Sequence, residues 1–133
     1  MVTRDGPLLL VLFSVGLGTA IGASLRWGLS YLLNSRWGVM PLGTLACNLS
    51  GAFAIGCAVA ALLQHPEVPP LARLFLVTGL LGGLTTFSTF SSESVAMLMN
   101  GFWLKAFIHA SAHLLGSLAC TGAGFWCVGN YLK

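Results

Sequence analysis

Apolar residues run almost without interruption through this chain, and the polar positions gather in a few short groups between and within those runs. Four apolar stretches are long enough to cross a bilayer core, which takes roughly 20 helical residues. They cover about 7–33, 41–63, 71–99 and 102–132. The separators carry turn residues: Asn34, Ser35, Arg36, Gly38 and Pro41, then His65, Pro66, Glu67, Pro69 and Pro70, then Asn100 and Gly101. The first stretch exceeds a leader's apolar core and is followed by three more, so it reads as a mature span.

Composition places the solvent. Of 133 residues, 56% are hydrophobic and 7% charged, against about a quarter charged in a water-soluble domain. The expected architecture is an all-α membrane protein, a single four-helix transmembrane domain over 1–133. So short a chain leaves little room for a solute pathway inside one subunit, which favours assembly. Cys47, Cys57, Cys120 and Cys127 make no CxxC pair and lie inside spans; they read as small packing residues rather than metal ligands or disulfides.

Lysine and arginine bias orients membrane proteins, and here it nearly vanishes. With the N-terminus on one side, Arg4, Arg73 and Lys133 fall there and Arg26, Arg36 and Lys105 fall opposite. Either local detail fixes one orientation, or copies insert both ways and pair antiparallel. Gly18 and Gly22, and the stripe Ala112, Gly116, Cys120 and Gly124, let helices approach closely. Contact within one subunit would account for them equally well.

Polar groups inside a membrane are costly and mark pathways. Asn48 lies about 10 Å inside the second span and Phe90 about 13 Å inside the third, at a rise of about 1.5 Å per residue, so the two share a level. Thr44 is one turn from Asn48 on the same face. His109, His113, Ser117 and Thr121 recur every fourth residue of the last span. Such hydroxyls often bond their own backbone. The two histidines raise proton transfer, although no carboxylate shares their stripe.

The segment GLLGGLTTFSTFSSE at 79–93 is the sharpest interruption. Gly82 and Gly83 leave helical geometry at low cost, and irregular backbone is tolerated at membrane depth only against protein or a watery cavity. Its loosened carbonyls suit a hard cation; a simple kink is the alternative. Phe87 and Phe90 share a helix face. They read either as packing or as electropositive ring edges turned toward a small anion, with the Asn48 amide as an ordinary donor.

With GASLRW at 22–27, GTLACNLSG at 43–51 and GSLACTG at 116–122, the chain resembles the fluoride-exporting channel family known as CrcB or Fluc over nearly its whole length. The resemblance implies a fluoride-selective channel of the cell membrane that passively exports F⁻ and lowers fluoride toxicity. It implies a third helix broken at mid-membrane and an antiparallel, dual-topology homodimer holding a structural Na⁺ at its centre. It assigns the Na⁺ to the backbone carbonyls of Gly82 and Thr85. It assigns the fluoride path to Asn48, Phe87, Phe90, Ser117 and Thr121, with Thr44 and Ser88 as accessories and Arg26 at a vestibule. Glu93 matches an acidic position of the family, and His113 stands where a smaller residue is expected.

No enzyme motif and no nucleic-acid partner is expected; the partners are fluoride, lipid and a second copy. Two alternatives are a proton-coupled fluoride antiporter and a small multidrug-type exporter. The latter depends on an acidic residue in its first span, where this chain carries Arg26 and no carboxylate.

Overall fold

The computed structural model describes residues 2–34 and 40–131. Arg36 and Lys133, part of the charge comparison, and residue 132, the expected end of the last span, lie outside them. A two-stranded antiparallel turn, β1 (Val2–Thr3) with β2 (Gly6–Pro7), precedes the helices. Helix α1 is Leu8–Asn34 and α2 is Leu42–Gln64. The third span, Pro70–Met99, is built in pieces: α3 (Pro70–Arg73), a π-helical stretch (Leu74–Leu81), α4 (Gly82–Leu84) and α5 (Phe87–Met99). Helix α6 is Trp103–Tyr131. Among the described residues, four helices are therefore long and apolar enough to cross a membrane, with bounds close to those expected. The initial hairpin and the π-helical stretch left no signal in the hydrophobic pattern.

Helix α2 packs along α6, and α1 along the π-helical stretch and α4. Small residues decide both contacts. A Cβ on Gly22 would collide with the Leu80 carbonyl, and one on Gly83 would come within 2.6 Å of the Thr19 carbonyl. Gly56 and Gly124 likewise bring α2 and α6 to backbone contact, against the Thr121 and Phe53 carbonyls. The glycine pair of α1 and the glycines of the α6 stripe thus serve packing within one chain, which matters where lipid gives helices no hydrophobic reason to associate.

Polar groups tie the connections. Asn34 Oδ1 accepts the Gly43 amide at 2.7 Å, linking the end of α1 to the start of α2. Arg73 donates to the carbonyls of His65, Pro66 and Val68, each at 3.0 Å, and clamps the loop before the third span. In that exposed loop the Glu67 carboxyl is held below its usual range by a backbone hydrogen bond and by His65, 2.9 Å away. Large apolar side chains such as Leu9, Trp27, Phe107 and Trp126 face outward, as lipid requires.

Candidate functional site

Between α4 and α5 two residues leave helical geometry. Thr85 (φ −85°, ψ 155°) and Thr86 (φ −151°, ψ 119°) are extended, and α5 restarts at Phe87. Thr86 caps the restart, its Oγ1 accepting the Thr89 amide at 3.2 Å. On the other side, the Thr85 amide and Oγ1 both donate to the Leu81 carbonyl, at 3.1 and 2.9 Å.

Asn48 of α2 reaches across to this pair. Its Oδ1 accepts the Thr86 amide at 2.7 Å and its Nδ2 donates to the Thr86 carbonyl at 2.9 Å. The amides that would close on Gly82 O and Thr85 O in a continuous α-helix belong to Thr86 and Thr89. They donate instead to Asn48 Oδ1 and Thr86 Oγ1. Two carbonyls near the span's middle are thereby relieved of their helical partners.

A cavity of about 490 Å³ opens on this segment. Of the expected site residues it brings together Asn48, Gly82, Thr85, Phe87, Phe90, Ser117 and Thr121. They come from three separate stretches of chain, α2, the third span and α6. Phe87 and Phe90 meet edge to face, centroids 5.4 Å apart and planes at 60°, the arrangement that ring quadrupoles favour. Phe87 is 78% exposed, so its ring stands at the surface of the subunit. The Thr121 hydroxyl donates to the Ala52 carbonyl at 3.0 Å, which binds α6 to α2.

Three expected residues lie apart from the cavity lining. Ser88 is hydrogen-bonded to Thr86 Oγ1 at 3.2 Å. Thr44 is 1% exposed and donates to Glu93 Oε1 at 2.6 Å. Arg26 places its Nε on the Gly83 carbonyl at 3.0 Å, fastening α1 to α4.

Residues outside the expected set take the remaining places. His113 lines the cavity and its Nδ1 accepts from Asn48 Nδ2 at 3.0 Å. Glu93, on α5, sits 3.3 Å from His109 Nε2. The α6 stripe contains no carboxylate, yet the fold supplies one from another helix. Phe90 stacks on both imidazoles, with centroids 5.5 Å from His109 and 4.6 Å from His113. In the sequence, the histidines showed by their four-residue spacing and Glu93 through the family resemblance, but nothing joined them.

Four helices long and apolar enough to cross a membrane, three of which line a largely apolar cavity with a few polar groups and an irregular segment at its wall, define a polytopic membrane protein. The particular family is settled by comparison. The model of the CrcB-like proteins, Camphor Resistance (CrcB), matches residues 13–125, and the chain belongs to that family. A relative from Thiobacillus denitrificans is 55% identical over 120 residues, covering 90% of this chain and 96% of its own length. One from Cupriavidus metallidurans is 52% identical over 121 residues, covering 91% and 94%. One from Nitrosospira multiformis is 47% identical over 120 residues, covering 90% and 94%. All three are known as the fluoride-specific ion channel FluC.

Proposed function

We propose that this chain is a fluoride-selective channel of the cell membrane, passing F⁻ through the Asn48–Phe87–Phe90 cavity. The observation that carries the reading is a single amide, Asn48, held rigidly at the level of two paired phenyl rings inside a lipid-facing protein. The electropositive edges of Phe87 and Phe90 in a narrow, dehydrating path suit a small, hard anion and disfavour a larger halide. Flux is electrodiffusion. An inside-negative potential drives export by about 2.3 kcal/mol per elementary charge per 100 mV, and no covalent step is required. The physiological result is resistance to fluoride that enters as neutral HF and dissociates inside.

The pathway is completed by a second, antiparallel copy. Phe87 at the subunit surface supports this, as does the even division of the six cationic side chains that the sequence pattern leads one to expect. The extended pair Thr85–Thr86 is the mid-membrane break of the third helix. The carbonyls of Gly82 and Thr85 would hold a structural Na⁺ between the copies; when bound, the ion fixes the irregular backbone by charge–dipole attraction. The Arg26 guanidinium, secured on Gly83, contributes positive charge near the same segment and raises the local anion concentration.

Liposomes loaded with fluoride and containing the purified protein test the reading. Efflux should generate a diffusion potential, exceed chloride efflux by at least about a hundredfold and proceed without a pH gradient. Equal chloride flux, or strict dependence on a proton gradient, would overturn it.

A further inference from the structure

The NH₂ of Asn48 carries two hydrogens, and the structure accounts for both. Its Oδ1 accepts the Thr86 amide at 2.7 Å, which fixes which way round the amide lies. One Nδ2 hydrogen then goes to the Thr86 carbonyl at 2.9 Å and the other to His113 Nδ1 at 3.0 Å. An anion at this level of the cavity therefore meets no free Asn48 N–H. To obtain one it must displace an acceptor.

The two acceptors are not equally held. Thr86 is tied through its amide, its carbonyl and its Oγ1, which caps α5. His113 lines the cavity on a rotatable side chain of α6, and its bond to Asn48 is the only hydrogen bond its ring makes among the described residues. Because Nδ1 accepts, the neutral ring carries its proton on Nε2. That Nε2 is buried and has no partner. The ring's other contacts are with ring systems, Phe90 and His109, with centroids 4.6 and 4.5 Å away, and they fix no donor or acceptor.

A second position for the ring lies next to the first. Glu93 Oε2, on α5, is also buried and without a hydrogen-bond partner, and one ligating atom each from Glu93, His109 and His113 lie within 4.8 Å of one another. A turn of the imidazole toward Glu93 gives Nε2–H an acceptor as Nδ1 leaves Asn48. His109 Nε2 is 3.3 Å from the same oxygen, which has lone pairs for two neighbours. One hydrogen bond is exchanged for another, and bonds to carboxylates are the stronger kind. Without an anion the turn would strand a buried Asn48 N–H, so the ring stays where the structure shows it.

We propose that His113 is a specificity latch on the anion path: its Nδ1 holds the second N–H of Asn48 until a passing ion displaces the ring and takes that hydrogen. The proposal rests on the fluoride reading above and adds a residue which that reading does not use. Displacement favours the strongest acceptor. Fluoride concentrates its charge on a small ion and makes a stronger bond to N–H than a neutral imidazole nitrogen does. Chloride, larger and a weaker acceptor, gains less from the same hydrogen and leaves the latch closed. Selectivity grows because the wrong ion meets a group it cannot displace.

The first test is nitrogen NMR of the full chain in detergent, with isotope-labelled histidine, titrated with sodium fluoride and with sodium chloride as control. Without fluoride, His113 should show a proton on Nε2 and a hydrogen-bonded Nδ1; His113→Leu and His113→Asn, which lack these signals, assign them. Fluoride should move the Nδ1 resonance to that of an unbonded nitrogen, and chloride should not. Efflux from liposomes is the second readout. His113→Leu keeps roughly the volume but has no acceptor, so efflux at low fluoride should rise about two- to tenfold while the ratio of fluoride to chloride efflux falls. His113→Asn, whose Oδ1 takes the place of Nδ1, should bring both back toward the wild-type values. A wild-type Nδ1 signal that fluoride leaves unmoved would overturn the proposal. So would unchanged or reduced fluoride efflux in a folded His113→Leu, the outcome of a merely structural role. The wild-type titration decides the matter even if the leucine variant fails to fold. Selective fluoride efflux from wild-type liposomes beside an unresponsive His113 sinks only the latch, whereas wild-type efflux without preference for fluoride sinks the channel reading itself.

Discussion

Asn48 and Thr86 are joined by two hydrogen bonds, the Thr86 amide to Oδ1 at 2.7 Å and Nδ2 to the Thr86 carbonyl at 2.9 Å. One side chain thereby replaces both backbone partners of a residue that has left its helix. The same Nδ2 also donates to His113, so the orientation of this amide sets both the irregular segment and the nearby histidine tautomer.

Asn48→Asp removes both donations and points a carboxylate at a carbonyl. Each buried group left unpaired costs about 1–3 kcal/mol. Fluoride efflux from liposomes should fall at least about tenfold, and the thermal midpoint in detergent should drop. Asn48→Gln, one methylene too long to span the same pair of atoms, should fall between the two.

Phe87→Ile separates pathway from stability. The ring is largely exposed in the subunit, so its loss removes little packing within the chain. The helical content of the variant in detergent should be unchanged, whereas fluoride flux should fall at least about tenfold because the quadrupole is gone. Wild-type flux in this variant would take the ring out of the path.

Gly22→Ala should be destabilising, because the added Cβ meets the Leu80 carbonyl and lies 2.8 Å from the Leu84 amide, both backbone atoms that cannot rotate away. Overpacking of this kind typically costs about 1–3 kcal/mol. Gly28→Ala is the control on the same helix, with nothing within 4 Å of the new methyl; its thermal midpoint should hold or rise by the helix propensity of alanine, about 1 kcal/mol at most.

Replacing Na⁺ by a large organic cation tests the role proposed for Gly82 and Thr85. A ligand present at about 100 times its Kd stabilises the folded form by about 2.7 kcal/mol. The midpoint should fall when Na⁺ is withdrawn and recover when it is restored, with K⁺ less effective. A midpoint insensitive to Na⁺ would exclude the ion from these carbonyls.

Arg26→Gln removes the 3.0 Å bond to the Gly83 carbonyl. Charge-assisted bonds contribute about 1.5–3 kcal/mol, so the midpoint should drop in the variant. If the same charge also draws anions inward, fluoride flux at low ionic strength should fall more than at high ionic strength, a salt dependence that loss of the clasp alone would not produce.

Number, order and approximate ends of the four spans were legible in the sequence, because crossing hydrocarbon demands length and apolarity and nothing subtler. So were the shared level of Asn48 and Phe90, from helical rise alone, and the irregularity near Gly82–Thr86, from glycines and hydroxyls where a span should be uniform. The rotation of each helix about its axis was not legible, since lipid on every side erases the amphipathic stripe that would report it. That rotation decides the rest. It sends Thr44 to Glu93 rather than to the cavity, lays Arg26 on Gly83, and sets a carboxylate from α5 against two histidines of α6. Contacts between residues as distant as Thr44 and Glu93 depend on the close approach that individual glycines permit, and only packing in three dimensions selects among the partners so allowed.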